Sequence, residues 1–358
     1  MLTTAEFPGP RGGQRRHWRK SYQADPIGYL TRCREQYGDI FVLDDSLVVI
    51  TDPTRVQRLL VRTNRESVPN PNLLEGGRLP DSDEVRAWTG VRELIGQALS
   101  DVAVRVPLWW PSMMRRRFNA ARQVTDAELH ALLDSPPEPP SPGQPPTLLH
   151  RIADADQLPV QIAMKAMGNA LTSGIATMAG AWCWLLYHLG NRPDGLDRIR
   201  QEVASSESNP GADLPYTAAF IREVMRVHPP AWLLGRDTTI AVALDEHHTL
   251  PARTAVLFSP YLLHHDPRFW HEPDQFEPQR WLATCPPHSP YAYLPFGAGP
   301  RVCLGLHLSQ LLLVRTAAQF ATNFQLDLVH RPPTNPPRLA TLLLPTGLTC
   351  TLTPDPAT

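Results

Sequence analysis

The chain has 358 residues and a mass of 40.0 kDa, enough for one large domain or two ordinary ones. It is 42% hydrophobic and 19% charged, which supplies a substantial core and excludes a disordered chain. The formal net charge of −1 gives no electrostatic reason to expect nucleic acid or an anionic membrane surface as a partner.

In chain order, Met1–Gly13 carries Pro8 and Pro10 and no apolar run, so neither a signal peptide nor a membrane anchor is expected there. Ile40–Leu43 and Leu47–Ile50, on either side of Asp44-Asp45-Ser46, predict a hairpin. Asp52-Pro53 predicts a helix to about Val61, with Asp as its cap and Pro at its first position. Helical patterns return at Glu84–Leu99 and Met113–Leu133, followed by an extended proline-rich loop, Pro136–Pro146. Three helices are then expected: an apolar one over about Leu158–Leu189, Pro193–Ser205 and Tyr216–Val227. Ala166–Tyr187 contains 22 uncharged residues, long enough to cross a bilayer. Asn169, Thr172, Ser173 and Thr177 interrupt it, so a helix buried inside a large protein is the better reading, and the cytosol is the expected compartment. The last third carries a strand at Ala255–Phe258, a helix from Gly305 to about Phe320, and a final hairpin over Leu342–Leu352 turning at Pro345-Thr346-Gly347. The whole is mainly helical with a small β part.

Cys33, Cys183, Cys285, Cys303 and Cys350 are odd in number and form no CxxC pair, which argues against a disulfide framework or a structural zinc. Cys303 is the exception in its surroundings. Phe296-Gly297-Ala298-Gly299-Pro300-Arg301-Val302-Cys303-Leu304-Gly305 is a tight loop that delivers a cysteine just ahead of an apolar helix. A thiolate there is stabilised by the helix dipole and by free backbone N–H groups. Arg301 adds a positive charge suited to a carboxylate or phosphate. Val302 stands where GxGxxG needs its third glycine, so a dinucleotide loop is a poor competitor.

This segment resembles the haem-binding loop of the cytochrome P450 superfamily, FxxGxRxCxG, at every fixed position. The resemblance implies the mainly α P450 fold, haem b as cofactor, Cys303 as iron ligand, Arg301 on a haem propionate, and Phe296 and Gly297 beside the thiolate. Leu214–Arg236 is similar to the family's K helix and the strand after it. By that likeness Glu223 and Arg226 form the ExxR pair, Arg280 in Phe276–Trp281 is its third member, and Arg236 holds the second propionate. Gln279 replaces the usual acid before Arg280. Ser173–Met178 resembles AGx(D/E)T(T/S): Gly174 and Thr177 match, whereas Ala176 and Met178 replace the acid and the second hydroxyl. In the family the small residue lets the helix open over haem, and the threonine helps deliver protons. Ala231–Leu234 and Pro345–Leu348 are expected to line the substrate side.

The resemblance implies a monooxygenase acting on a small, apolar organic molecule, supplied with electrons by a separate ferredoxin or flavodoxin and its reductase. Residues 1–358 are read as one domain, with the family's helices C to E lacking near residues 84–100. Gly76–Asp83 looks like the segment before helix C, and Ile95–Arg122 already looks like the later F–G region. Trp88–Arg92 fits the helix C motif WxxxR and equally the start of that later block. Two other readings stay open: peroxide-driven or rearrangement chemistry at the same thiolate, prompted by Ala176, and an inactive haem-binding remnant, prompted by the lacking helices. His247-His248, His264-His265, His271 and His288 lack zinc spacing, and surface or structural roles are expected.

Overall fold

The structure is a computed structural model that describes residues 7–61, 66–69, 127, 131, 160–206, 213–283, 288–330, 342–345 and 347–354. The chain divides into two compact units, Met1–Leu73 with Met178–Thr358, and Leu74–Thr177. In the second unit, Ala127 and Ala131 are helical, as is the stretch from Val160 onward. The helix Glu84–Leu99, the rest of Met113–Leu133, the loop Pro136–Pro146, and the segments Gly76–Asp83, Trp88–Arg92 and Ile95–Arg122 lie outside the described residues.

The first unit opens with α1 (Gly12–Ala24) and α2 (Pro26–Tyr37), which composition and periodicity do not single out. Asp25 divides them: its carboxylate accepts from Gly28 N–H at 2.9 Å, and Pro26 starts the next helix. The expected hairpin is present as β1 (Ile40–Asp44) and β2 (Leu47–Ile50). Next comes α3 (Pro53–Val61), capped by Asp52, whose carboxylate accepts from Arg55 N–H at 2.9 Å. With β3 (Ser67–Pro69), β4 (Leu234–Thr238) and β7 (Ala255–Phe258), the hairpin builds a five-stranded sheet in the order β1-β2-β7-β4-β3. The β2–β7 pair is parallel and the others are antiparallel. β5 (Val242–Ala243) and β6 (Thr249–Leu250) form a separate small ladder. Ile40, Val48, Ile50, Val56, Leu59 and Phe258 make the apolar layer under the main sheet.

The helical half is built on α4 (Val160–Gly190), α5 (Pro193–Ser206), α6 (Pro215–Val227) and α8 (Leu306–Asn323). A short helix, α7 (Pro260–His264), follows β7. Among the described residues, no helix is long and apolar enough to cross a membrane. Trp184, Leu185, Ile199, Phe220, Val224, Leu313 and Ala321 form the main helical core. Removing a large side chain from such a site costs about 3–5 kcal/mol. Glu202 of α5 caps α6: its carboxylate accepts from the N–H groups of Tyr216 and Thr217 at 2.6 and 2.8 Å.

The chain end departs from expectation. β9 (Thr349–Pro354) pairs with β8 (Phe324–His330), the strand that follows α8, and not with residues 342–345. The backbone at Leu343 is already engaged elsewhere. Its N–H donates to Pro230 O and its carbonyl accepts from Trp184 Nε1, both at 2.9 Å. A local hairpin would have to surrender both bonds and the fully buried Leu343 side chain.

Candidate functional site

Backbone conformation presents Cys303. Gly297 (φ 69°) and Gly299 (φ 75°) both occupy the left-handed region that glycine enters without strain. At Gly299 the constraint is also steric, because a Cβ there would stand 2.5 Å from the carbonyl oxygen of Leu60 at the end of α3. After one 3-10 turn (Gly299–Arg301), Cys303 N–H donates to Phe296 O at 3.0 Å, which closes the loop on itself. Phe296 packs against the helical core and anchors that end. Cys303 is exposed and lies just ahead of α8.

Arg236 lies on β4, and its residue is only 9% exposed. One guanidinium NH2 group donates to Gly235 O at 2.8 Å, but Nε is buried with no hydrogen-bond partner. Burial, with the positive charge of Arg301 nearby, pushes its pKa down to about 10. A buried cation with an unmatched N–H beside a second cation is unfavourable, and an anion at Arg236 relieves that cost. The pair therefore suits carboxylates brought in by a ligand.

The Glu223 set has the opposite character. Glu223 and Arg226, one turn apart on α6, are both fully buried. Arg226 grips the carboxylate with two bonds of 2.8 and 2.9 Å, and its remaining donors reach the carbonyls of His264, Pro273 and Gln275. Arg280 Nε donates to Glu223 at 3.1 Å, Trp281 Nε1 at 2.8 Å and Glu277 N–H at 2.8 Å. Such bidentate pairing fixes the direction of the loop as well as supplying energy.

Two histidines tie these parts together: His264, among those expected in a surface or structural role, and His188, which the sequence patterns pass over. His264 Nδ1 is 2.9 Å from Arg226 O, and its Nε2 accepts from Leu294 N–H at 2.8 Å. Those partners require a neutral ring protonated at Nδ1, and burial holds its pKa well below that of a free imidazole. It thus joins α6 to the chain two residues before Phe296. His188 accepts from Arg192 at Nδ1 (2.8 Å), which leaves its ring proton on Nε2, 2.9 Å from His228 Nδ1. Burial also pushes His188 well below the usual imidazole range. No spacing signal marks these links, because His264 reaches Arg226 and Leu294, and His188 reaches His228, across thirty to forty residues. Among the described residues, no cluster of three or more His, Cys, Asp or Glu side chains could hold a metal ion.

Thr177 and Gly174 sit in the other unit on α4, Gly174 where an added Cβ would meet nothing within 4 Å. The Thr177 hydroxyl donates back to the carbonyl of Ser173, and Ala176 is buried.

Comparison with known proteins decides the family. A cytochrome P450 family profile matches residues 89–351, about three quarters of the sequence. The chain belongs to the cytochrome P450 family. It is 39% identical to cyclooctatin synthase of Streptomyces melanosporofaciens over 142 residues, 38% of this chain and 31% of that protein. It is 34% identical to human cytochrome P450 4A11 over 179 residues, 48% of this chain and 34% of that protein. With the human mitochondrial 25-hydroxyvitamin D-1 alpha hydroxylase it shares 29% over 240 residues, 63% of this chain and 46% of that one. The matched part therefore spans less than half the length of each of these relatives. A solved cyanobacterial P450, CYP120A1 with bound retinoic acid, superposes with a TM-score of 0.69 at 18% identity, covering 97% of this chain and 99% of that one. The fold is the P450 fold.

The P450 family implies a haem cofactor, and the residues present fit one. An exposed thiol ahead of a helix suits a soft metal, and a buried arginine with an unmatched N–H beside a second arginine suits two carboxylates.

Proposed function

We propose that this chain is a haem-thiolate monooxygenase that oxidises a small, largely apolar organic molecule with O2, using haem b. The observation that carries the reading is the pairing of Cys303, exposed on its self-closed loop, with the under-satisfied Arg236 beside Arg301. Haem would supply dioxygen activation when bound. Cys303 holds the iron through Sγ. Arg236 and Arg301 would hold the propionates, which suits the unmatched N–H at Arg236 Nε. Phe296 and Gly297 keep the loop in place, and Glu223, Arg226 and Arg280 orient the segment ahead of it.

Gly174 leaves room on α4, and Thr177 manages protons. Its hydroxyl proton points to the Ser173 carbonyl, so it must rotate before donating elsewhere. Ala176 offers no carboxylate beside it, and protons then arrive through water or the substrate. Electrons come from a separate ferredoxin or flavodoxin with its reductase. The chain acts as one P450 domain, shortened near residues 84–100.

The test is the spectrum of the purified, reduced protein under carbon monoxide. A Soret band of the thiolate type is expected, and Cys303→Ala should abolish it. Absence of haem, or a band typical of a neutral thiol, overturns the reading. Ala176 favours a second reading at the same thiolate, in which peroxide replaces O2 and the reductase pair. Turnover with peroxide and none with a reductase pair selects it.

A further inference from the structure

The end of the chain is fastened to α4 on both sides of a cysteine. Trp184 Nε1 donates to Leu343 O at 2.9 Å, and a Cβ on Gly180 would stand 2.8 Å from the Leu344 side chain. Further along α4, a Cβ on Gly190 would stand 2.6 Å from the side chain of Leu328 on β8. Positions 180, 183, 187 and 190 recur at spacings of three and four, so they share one helix face. Cys183 therefore lies between the two places where α4 meets the C-terminal segment. Cys350 on β9 sits directly opposite Leu328 in the antiparallel ladder. Opposite residues project to the same side of such a pair, so Cys350 shares the side that Leu328 presses on α4. Both thiols are free and partly buried.

We propose that Cys183 and Cys350 are a redox-sensitive pair that closes to an intramolecular disulfide under hydrogen peroxide. The thiolate of Cys350 attacks one peroxide oxygen. The O–O bond breaks, one water leaves and Cys350 becomes a sulfenic acid. The Cys183 sulfur then displaces the second oxygen, also as water, and the S–S bond forms. In total two thiols give up two electrons and two protons, and one peroxide becomes two waters. Burial, reinforced by the nearness of Cys350, pushes the Cys183 thiol up. It is thus the resolving partner, and closure quickens as pH rises. Closure fixes the stretch leading into β9 against α4. Neither thiol belongs to the Cys303 loop, so the pair stands or falls apart from the haem assignment.

The experiment oxidises the full-length protein with hydrogen peroxide, alkylates the remaining thiols and maps its peptides without reduction. A peptide joining Cys183 to Cys350, lost on adding dithiothreitol, is expected, with alkylation falling at both positions together. Cys183→Ser and Cys350→Ser should each abolish that peptide and leave the CO spectrum unchanged; if one variant fails to fold, the other supplies the control. Cys183 that stays alkylatable while Cys350 is oxidised, or either thiol linked instead to Cys33, Cys285 or Cys303, overturns the proposal.

Discussion

The Glu223 cluster and the Cys303–Arg236 region use the same kinds of side chain to opposite ends. Around Glu223 the carboxylate accepts from two arginines, an indole and a backbone N–H, and Arg226 directs its spare donors to three carbonyls. Around Cys303 the sulfur is exposed and Arg236 keeps a buried N–H without a partner. A saturated ionic set holds the fold and has little to offer a ligand. The unsaturated region carries a desolvation penalty that a bound anion removes. Buried charge alone therefore does not mark a site; unmatched buried charge does.

Removing one partner from the saturated set is the strongest way to test this contrast. Glu223→Ala leaves Arg226 buried without a counter-charge and Arg280 with only the half-exposed Glu277, and a loss of about 3–5 kcal/mol is expected in a urea unfolding curve. Retained stability would show that the cluster is ornamental. Acidification should come next in size. His188, His264 and His265 are all depressed by burial, His265 to about 4. Their folded pKa values lie below the unfolded value of about 6.5, so the unfolded chain binds more protons below that pH. Stability is then complete above about pH 6.5 and falls on acidification, by up to about 1.4 kcal/mol per pH unit for each histidine. Unfolding midpoints at pH 7 and pH 5 check it, and His188→Asn or His264→Asn should flatten the slope.

Arg236→Met should change the sign. With the half-satisfied cation gone, the haem-free protein is expected to be unchanged or about 1 kcal/mol more stable, while haem retention falls. Thermal melts of haem-free protein together with haem titration separate the two effects. Cys303→Ala should be the mildest to the fold, within about 0.5 kcal/mol, because the thiol is exposed. A large loss of stability there would place Cys303 in the structural class and erase the contrast.

Much of the Cys303 loop is legible in the sequence because it is local. Glycines at 297 and 299, the arginine and the cysteine stand within seven residues, and backbone geometry alone carries them to the start of α8. The long apolar helix Val160–Gly190 and the amphipathic Pro215–Val227 fall within two residues of their expected bounds. α1 and α2 escape a reading by pattern because both are polar overall, and the burial of Ile27, Leu30 and Cys33 depends on distant partners. The expected final hairpin fails because the local turn signal at residues 345–347 has a stronger rival. Pro230 and Trp184, more than a hundred residues away, already hold the backbone of Leu343.

The amino-acid sequence by itself determined which residues can ligate, pair and turn: a cysteine ahead of an apolar helix, an i, i+3 ion pair, and glycines where φ must be positive. Those properties depend on neighbours within one turn of chain. Tertiary structure alone decided that Arg236 is buried with an unmatched N–H near Arg301, that Trp281 and Arg280 share the Glu223 carboxylate, and that His264 bridges α6 to the cysteine loop. Each of these joins segments dozens of residues apart, and desolvation, which sets their charge and their hunger for partners, exists only once the chain has closed around them.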